Sequence, residues 1–326
     1  MNATSQDVAR AQAVLTDAPV LAEALCITAV NLEADVALAR YGGAWLGESL
    51  TIEDALELET LAYPRYLRLA VSLARPPWTL VIEPSGTQGT QPQTLQTLSD
   101  RASAVNLFWN INLRARCRYW RQQVELASFE LLDTQPGILA DPWLQQLRRG
   151  LTFDDPDLFK AEALVLLERI TGVALDWTSA SHPAAVVIAA DHFTLADPQW
   201  LLSTRAPDLH DTDPVRLDTL AAQAVDLTLR TAGVDPRSLQ DRPDTLLAEA
   251  RELAGQHMVS FAHSLRTGGP TQDTYLRQAH AIAAARARLA NDATERTAGA
   301  LVHAIDATPG GWPPLRQALD HTQGAG

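Results

Sequence analysis

Hydrophobic and polar positions change their period along this chain, and the change divides it. Leu25 to Val30 is a short apolar run, read as a buried strand, and Glu33 to Tyr41 then has helical spacing, stopped by Gly42-Gly43. Leu67, Leu69, Val71 and Leu73 alternate with Arg68, Ala70 and Ser72. Pro76-Pro77 forces a turn, and Trp78, Leu80 and Ile82 resume the period of two. This predicts a β-hairpin ending at Glu83-Pro84-Ser85-Gly86. A short helix follows over Pro92 to Leu98, with its proline in the first turn.

Val105, Leu107, Trp109, Ile111, Leu113, Ala115, Cys117 and Tyr119 then keep every odd position apolar or aromatic. Unbroken alternation over that length predicts one long strand, or two strands with no change of facing. The odd face belongs on the core. The even face carries Asn106, Phe108, Asn110, Asn112, Arg114, Arg116, Arg118 and Trp120. A return strand, Val124 to Leu132, follows a polar turn at Arg121-Gln122-Gln123. Centred on Gln122, the pairing sets Tyr119 against Glu125, Cys117 against Ala127, Ala115 against Phe129 and Arg114 against Glu130.

From Asp141-Pro142-Trp143 onward the pattern turns helical. Phe159 to Ile170 is an amphipathic helix stopped by Gly172, and an irregular stretch runs on to about Asp213. Three helices are predicted beyond it: one along Leu217 to Thr228, one along Leu247 to Leu265, and a long one from Thr271 to Ala307. Glycines fall at or past their ends, as C-terminal stops do. None can bury its apolar stripe alone, so a small bundle is expected. The fold class is therefore α+β: a mostly antiparallel sheet with flanking helices, followed by a C-terminal helical region. The expected organisation is a flexible N-terminus over 1–19, an α+β domain over 20–200, a helical region over 201–320 and a frayed tail over 321–326.

Composition narrows the function classes. With 46% hydrophobic residues and 20% charged, the chain of 326 residues can bury a sizeable core. Its formal charge of −13, from 39 acids and 26 bases, argues against binding nucleic acid through phosphate contacts. Lys160 is the only lysine, which looks like the codon bias of a GC-rich genome. The two cysteines, Cys26 and Cys117, lie far apart in apolar stretches and read as buried free thiols in a reducing compartment. The first residues, MNATSQDVARAQ, lack the basic and apolar regions of a signal peptide, and no apolar run of about 18 residues is present. A cytoplasmic location with no membrane contact is the expectation.

Trp78-Thr-Leu-Val-Ile-Glu-Pro-Ser-Gly86, then Gly89, then Phe108-Trp109-Asn110-Ile-Asn112 resembles an actinobacterial family catalogued only as domain of unknown function 6461. Cys26-Ile27-Thr28 and Leu167 to Val173 are further family-like positions, and the resemblance covers about 22–180. In place of the usual Asp-Gly hairpin turn stands Arg121-Gln122-Gln123. The resemblance implies a fold region and an actinobacterial origin, and no activity.

The candidate chemistry is sparse. Glu83, with Ser85, Gly86 and Gly89 beside it, could be an acid, a base or a ligand-binding carboxylate. The plain alternative is a carboxylate that accepts backbone N–H bonds within its own loop. Asp208, His210, Asp211 and Asp213 could in principle hold a metal, but Asp213-Pro214 is a helix-capping signature. Asp191-His192 has no partner spacing, and His257 and His263 stand six apart, off a shared helix face. Phosphate-loop, dinucleotide, serine-elbow and zinc-protease motifs are absent, so no catalytic residue, cofactor or metal is assigned. The even face is the leading candidate: asparagine amides, forked arginines and two aromatics suit a contact surface. The expected function is a non-enzymatic protein-interaction module binding through that face. An acidic protein is its expected partner, and a homodimer through the helical tail is a secondary expectation. The alternative is a hydrolase or small-ligand enzyme using Glu83.

Overall fold

A computed structural model describes residues 3–62, 67–132, 142–173, 181–187, 197–209, 212–234, 243–268, 273–290 and 292–324. The chain divides into two compact units, 1–189 and 190–326. In the first, helices α1 (Ala3–Asp17) and α2 (Pro19–Glu23) precede β1 (Leu25–Val30), α3 (Ala34–Tyr41), β2 (Gly43–Leu50) and α4 (Ile52–Leu61). Then come β3 (Leu69–Arg75), β4 (Trp78–Glu83), a 3₁₀ turn at Gln88–Thr90, α5 (Pro92–Leu98), β5 (Ser103–Trp109), β6 (Ala115–Arg121) and β7 (Val124–Glu130). Helices α6 (Pro142–Leu147) and α7 (Phe159–Thr171) and strand β8 (His182–Val187) complete the unit.

The eight strands among the described residues form one antiparallel sheet in the order β2-β8-β3-β4-β1-β5-β6-β7. The α+β class with an antiparallel sheet and flanking helices is what the sequence predicts. β1, buried at all six positions, lies between β4 and β5, which is why it reads as a continuous apolar run. Gly42, at φ +86°, ends α3 in the left-handed conformation expected of a C-terminal stop. The β3–β4 hairpin turns on Pro76-Pro77, joined by a cis bond, with Arg75 opposite Trp78.

Two expectations are corrected here. The stretch read as a flexible N-terminus is helix α1, which buries Ala11 and Leu15 and packs on α7. Of the two alternatives for Val105 to Tyr119, the structure has the second: two strands, β5 and β6, folded onto each other. Leu107 faces Cys117 and Trp109 faces Ala115 across the pair, so the facing never changes and the alternation runs through the turn unmarked. The β6–β7 register is shifted by two from the expected one: Arg116 opposes Glu130, Cys117 opposes Phe129 and Tyr119 opposes Ala127. The reason is the turn, which has two residues and not three. Gln122 and Gln123 both take positive φ, +51° and +66°, the geometry of a tight primed turn, and a bulge beside Trp120 absorbs the odd residue.

The odd face packs Leu25, Ile27, Leu107, Trp109, Cys117, Tyr119 and Phe129 into a core, with α7 against β5 and the Trp109 indole donating to the carbonyl of Leu21 (2.9 Å). The even face is covered as well. Val30, Val81, Ala104, Trp120, Ala185 and Val187 pack with Tyr41 and Leu38 of α3 and Leu95 and Leu98 of α5.

The second unit is helical: α8 (Pro198–Arg205), a 3₁₀ turn at Pro207–Leu209, α9 (Pro214–Thr231), α10 (Pro243–Thr267), α11 (Asp273–Arg288), a π-turn at Glu295–Gly299, α12 (Ala300–Ala307) and α13 (Trp312–Gly324). The long helix expected from Thr271 to Ala307 is broken in two. Asp292 Oδ1 accepts the N–H of Glu295 (2.8 Å), so it starts a new helix in mid-pattern. Asp213 caps α9 as expected, accepting from Val215 (3.0 Å) and Arg216 (3.2 Å). Asp191, His192, His210 and Asp211 lie outside the described residues. No helix among the described residues is long and apolar enough to cross a membrane.

Candidate functional site

Two neighbouring places in the sheet unit hold the residues singled out from the sequence. The first is the end of β4. Register sets Glu83 opposite Cys26 on β1, and Thr28 lies between Val81 of β4 and Asn106 of β5. These side chains share the even face, and α3 lowers Tyr41 onto them. Glu83 is 1% exposed. Its Oε1 accepts from the Tyr41 hydroxyl (2.5 Å) and the Gly89 N–H (2.9 Å), and its Oε2 accepts from the Gln88 N–H (3.1 Å). Asn106 donates to Thr28 Oγ1 (3.0 Å) and to the Ile27 carbonyl (3.2 Å). Burial pushes the Glu83 carboxyl above the usual range, against the pull of the Tyr41, Gly89, Gln88 and Cys26 hydrogen bonds. Burial, then the Glu83 charge, raises the Cys26 thiol and the Tyr41 phenol in turn.

The glycines of this loop are there for close approach. A Cβ on Gly86 would run into the Glu83 carboxylate, and one on Gly89 would meet Thr28, Tyr41 and Asn106. The 3₁₀ turn therefore lies directly on the sheet and delivers two N–H groups to a buried carboxylate. Chemically this is a sealed hydrogen-bond cluster.

Beside it stands a residue that the sequence reading missed. Glu59, near the end of α4, is buried; its Oε1 accepts the N–H of Leu69 (2.6 Å) and its Oε2 accepts the Ser85 hydroxyl. Arg68 also donates to Ser85 Oγ (3.2 Å). Desolvation pushes Glu59 up to about 7, despite the hydrogen bonds from Ser85 and Leu69 and the Arg68 charge. The Thr51-x-x-Asp54 capping box of α4 was the available signal for that helix.

The second place is the even face of β5 and β6, and the structure separates its members. Asn106 and Trp120 are buried. Arg118 donates to the Thr90 carbonyl (2.8 Å) and pairs with Glu125 (3.0 Å). Arg116 pairs with Glu130 (2.6 Å), the partner expected for Arg114. Phe108 is half-buried. The even face as a whole is thus not an open polar surface, because α3 and α5 cover it. Its accessible members are Arg116 on β6 and the turn joining β5 to β6. Asn110 Oδ1 accepts the N–H groups of Asn112 (3.0 Å) and Arg114 (3.1 Å), and the Asn110 N–H donates to the Arg114 carbonyl (3.1 Å). That cradle holds Ile111 and Leu113 in solvent, 76% and 57% exposed, with Asn112 and Arg114 exposed beside them. Leu113 takes φ +59°, a conformation a leucine rarely adopts.

The family model of DUF6461, a family of unknown function, matches residues 1–182. No curated protein and no solved structure matches the chain.

Proposed function

Because the chain belongs to DUF6461, a family of unknown function, its activity has to be read from its own residues, and we propose that it is a non-enzymatic protein-interaction module whose contact surface is the β5–β6 turn. The observation that carries this reading is the pair Ile111 and Leu113. Two large apolar side chains stand in solvent on a turn whose backbone is tied down by Asn110. A pre-ordered loop loses little entropy on docking, so its apolar area converts efficiently into affinity. Arg114 adds one exposed cation. Arg116 and Arg118 are matched by Glu130 and Glu125, so the partner is one with an apolar pocket flanked by a carboxylate, rather than a broadly acidic surface. The chain as a whole is acidic, which disfavours nucleic acid. An enzyme built on Glu83 has less support, since both carboxylate oxygens are engaged by Tyr41, Gln88 and Gly89 in a site closed to solvent.

The test is affinity capture from an extract of the native cells, run in parallel with the wild-type chain and an Ile111→Asp/Leu113→Asp/Arg114→Ala variant. All three positions are exposed, so the variant keeps its fold, as circular dichroism checks. A partner retained by the wild type and lost by the variant is expected. Equal recovery of every captured protein by both chains overturns the reading.

A further inference from the structure

The helical unit contains a cluster that neither the sequence motifs nor the proposed interaction surface uses. His280 on α11 and His303 and Asp306 on α12 bring two imidazoles and a carboxylate together, with one donor atom from each lying within 4.8 Å of the others. We propose that these three residues form a binding site for a divalent transition-metal ion of the zinc class.

Local structure explains the convergence. His303 and Asp306 stand three positions apart, which places both on one face of α12. That face meets α11, whose buried stripe is almost all alanine: Ala279, Ala281, Ala283, Ala284 and Ala287. Side chains this small let the two helices approach closely, and the longer polar side chains meet between them. The imidazoles lie 5.8 Å apart, centre to centre, at 35°. His280 Nδ1 stands 4.0 Å from Asp306 Oδ2. The other oxygen, Oδ1, is held by Arg205 of α8. The carboxylate is therefore oriented on one side and turned toward the imidazoles on the other, the arrangement in which an outer partner fixes a ligand. A π-turn at Glu295–Gly299 leads directly into α12, a feature frequent at functional sites.

The donor set decides the class of ion. Magnesium and calcium take oxygen ligands, whereas two imidazoles and one carboxylate suit zinc and its neighbours in the transition series. Donors around a tetrahedral zinc sit about 3.4 Å apart, given bonds of about 2.1 Å, so small side-chain rotations close the cluster on an ion. His303 is buried, while His280 and Asp306 are half-buried, which leaves access from one side. Three protein donors leave a fourth position for water or a ligand.

Equilibrium dialysis of the untagged full-length chain against Zn²⁺ alone, followed by metal analysis, tests this. One equivalent per chain is expected, with none retained from Mg²⁺. His280→Gln and Asp306→Asn, the two more exposed positions, are expected to weaken Zn²⁺ binding at least tenfold while keeping the helical circular dichroism signal. Arg205→Gln breaks the same ion pair but leaves all three donors, and it is expected to weaken Zn²⁺ binding less than Asp306→Asn does; an equal loss in the two would assign the effect to the ion pair and overturn the site. No Zn²⁺ retained by the wild type, or unchanged binding in both ligand variants, also overturns it.

Discussion

At the scale of single residues, burial turns ordinary acids and thiols into groups with altered protonation. Cys117 is pushed up to about 12 and Cys26 is raised as well, so both are inert packing thiols in the folded chain. Glu59 carries a clearer consequence. Its carboxyl titrates at about 7 when folded against 4.5 when exposed. A folded value above the unfolded one means that the contribution to stability is full below about pH 4.5 and is lost as pH rises through about 7. Glu59→Gln cannot titrate. Between pH 4.5 and 8 the wild type should therefore lose on the order of 3 kcal/mol relative to the variant. Urea unfolding of both chains across that range measures the difference, and a gap that stays constant with pH rules the shift out. Glu83 was legible as a notable carboxylate at a strand end, and the plain alternative foresaw backbone N–H partners for it. Its neighbours were not legible, because Tyr41 and Asn106 come from elements far away in sequence.

At the scale of elements, period-two alternation located strands well and located their breaks poorly. The β5–β6 turn kept its odd positions apolar, with Ile111 and Leu113 continuing the pattern that Val105 began, although both side chains stand in solvent. A hairpin whose partners share parity looks the same as one long strand. The next turn shows the opposite weakness. Arg121-Gln122-Gln123 lacks the Asn or Gly that marks a primed turn, so its two-residue length was hidden and the register came out two residues off. Anchors from outside hold that turn: the Gln122 N–H donates to the Ala102 carbonyl (3.0 Å), and the Gln123 N–H to Ser99 Oγ (3.1 Å). Replacing Gln122-Gln123 with Asn-Gly should relieve the positive-φ cost and stabilise the chain by about 1 kcal/mol, even though the Gln123–Asp100 side-chain bond is lost. A raised denaturation midpoint checks this, and an unchanged or lowered one contradicts it. Strands β2 and β8 escaped notice for lack of alternation. β2 carries Gly43 and Gly47 and a register irregularity between Trp45 and Ser49.

At the scale of the whole molecule, every strand among the described residues and the helices that cover the sheet lie within residues 1–189, and the family match at 1–182 falls inside the same unit. A unit that closes its own core can fold as a separate piece. Residues 1–189 expressed alone are expected to show circular dichroism of mixed helix and strand and one cooperative unfolding transition. A broad, non-cooperative melt would show that the sheet unit depends on the rest of the chain. The net charge of −13 has a different weight here than in composition alone. Arg116 and Arg118 are paired with glutamates across the β6–β7 pair, so among the described residues only Arg114 of the three-arginine stripe lacks a carboxylate partner, and the exposed leucine and isoleucine become the more telling surface feature.

By itself the sequence determined the class of the fold, the identity of most strands and helices, their stops at Gly42 and Gly172, and the membership in one family. Those properties depend on neighbours within a few residues, where period, caps and breakers act. Only the tertiary structure decided which face was open, which carboxylates were buried and which polar side chains met. Covering the even face took α3 and α5, raising Glu59 took α4 laid against β3, and bringing His280 to His303 and Asp306 took two alanine-lined helices in contact. Each of these depends on residues distant along the chain, and no local pattern carries that information.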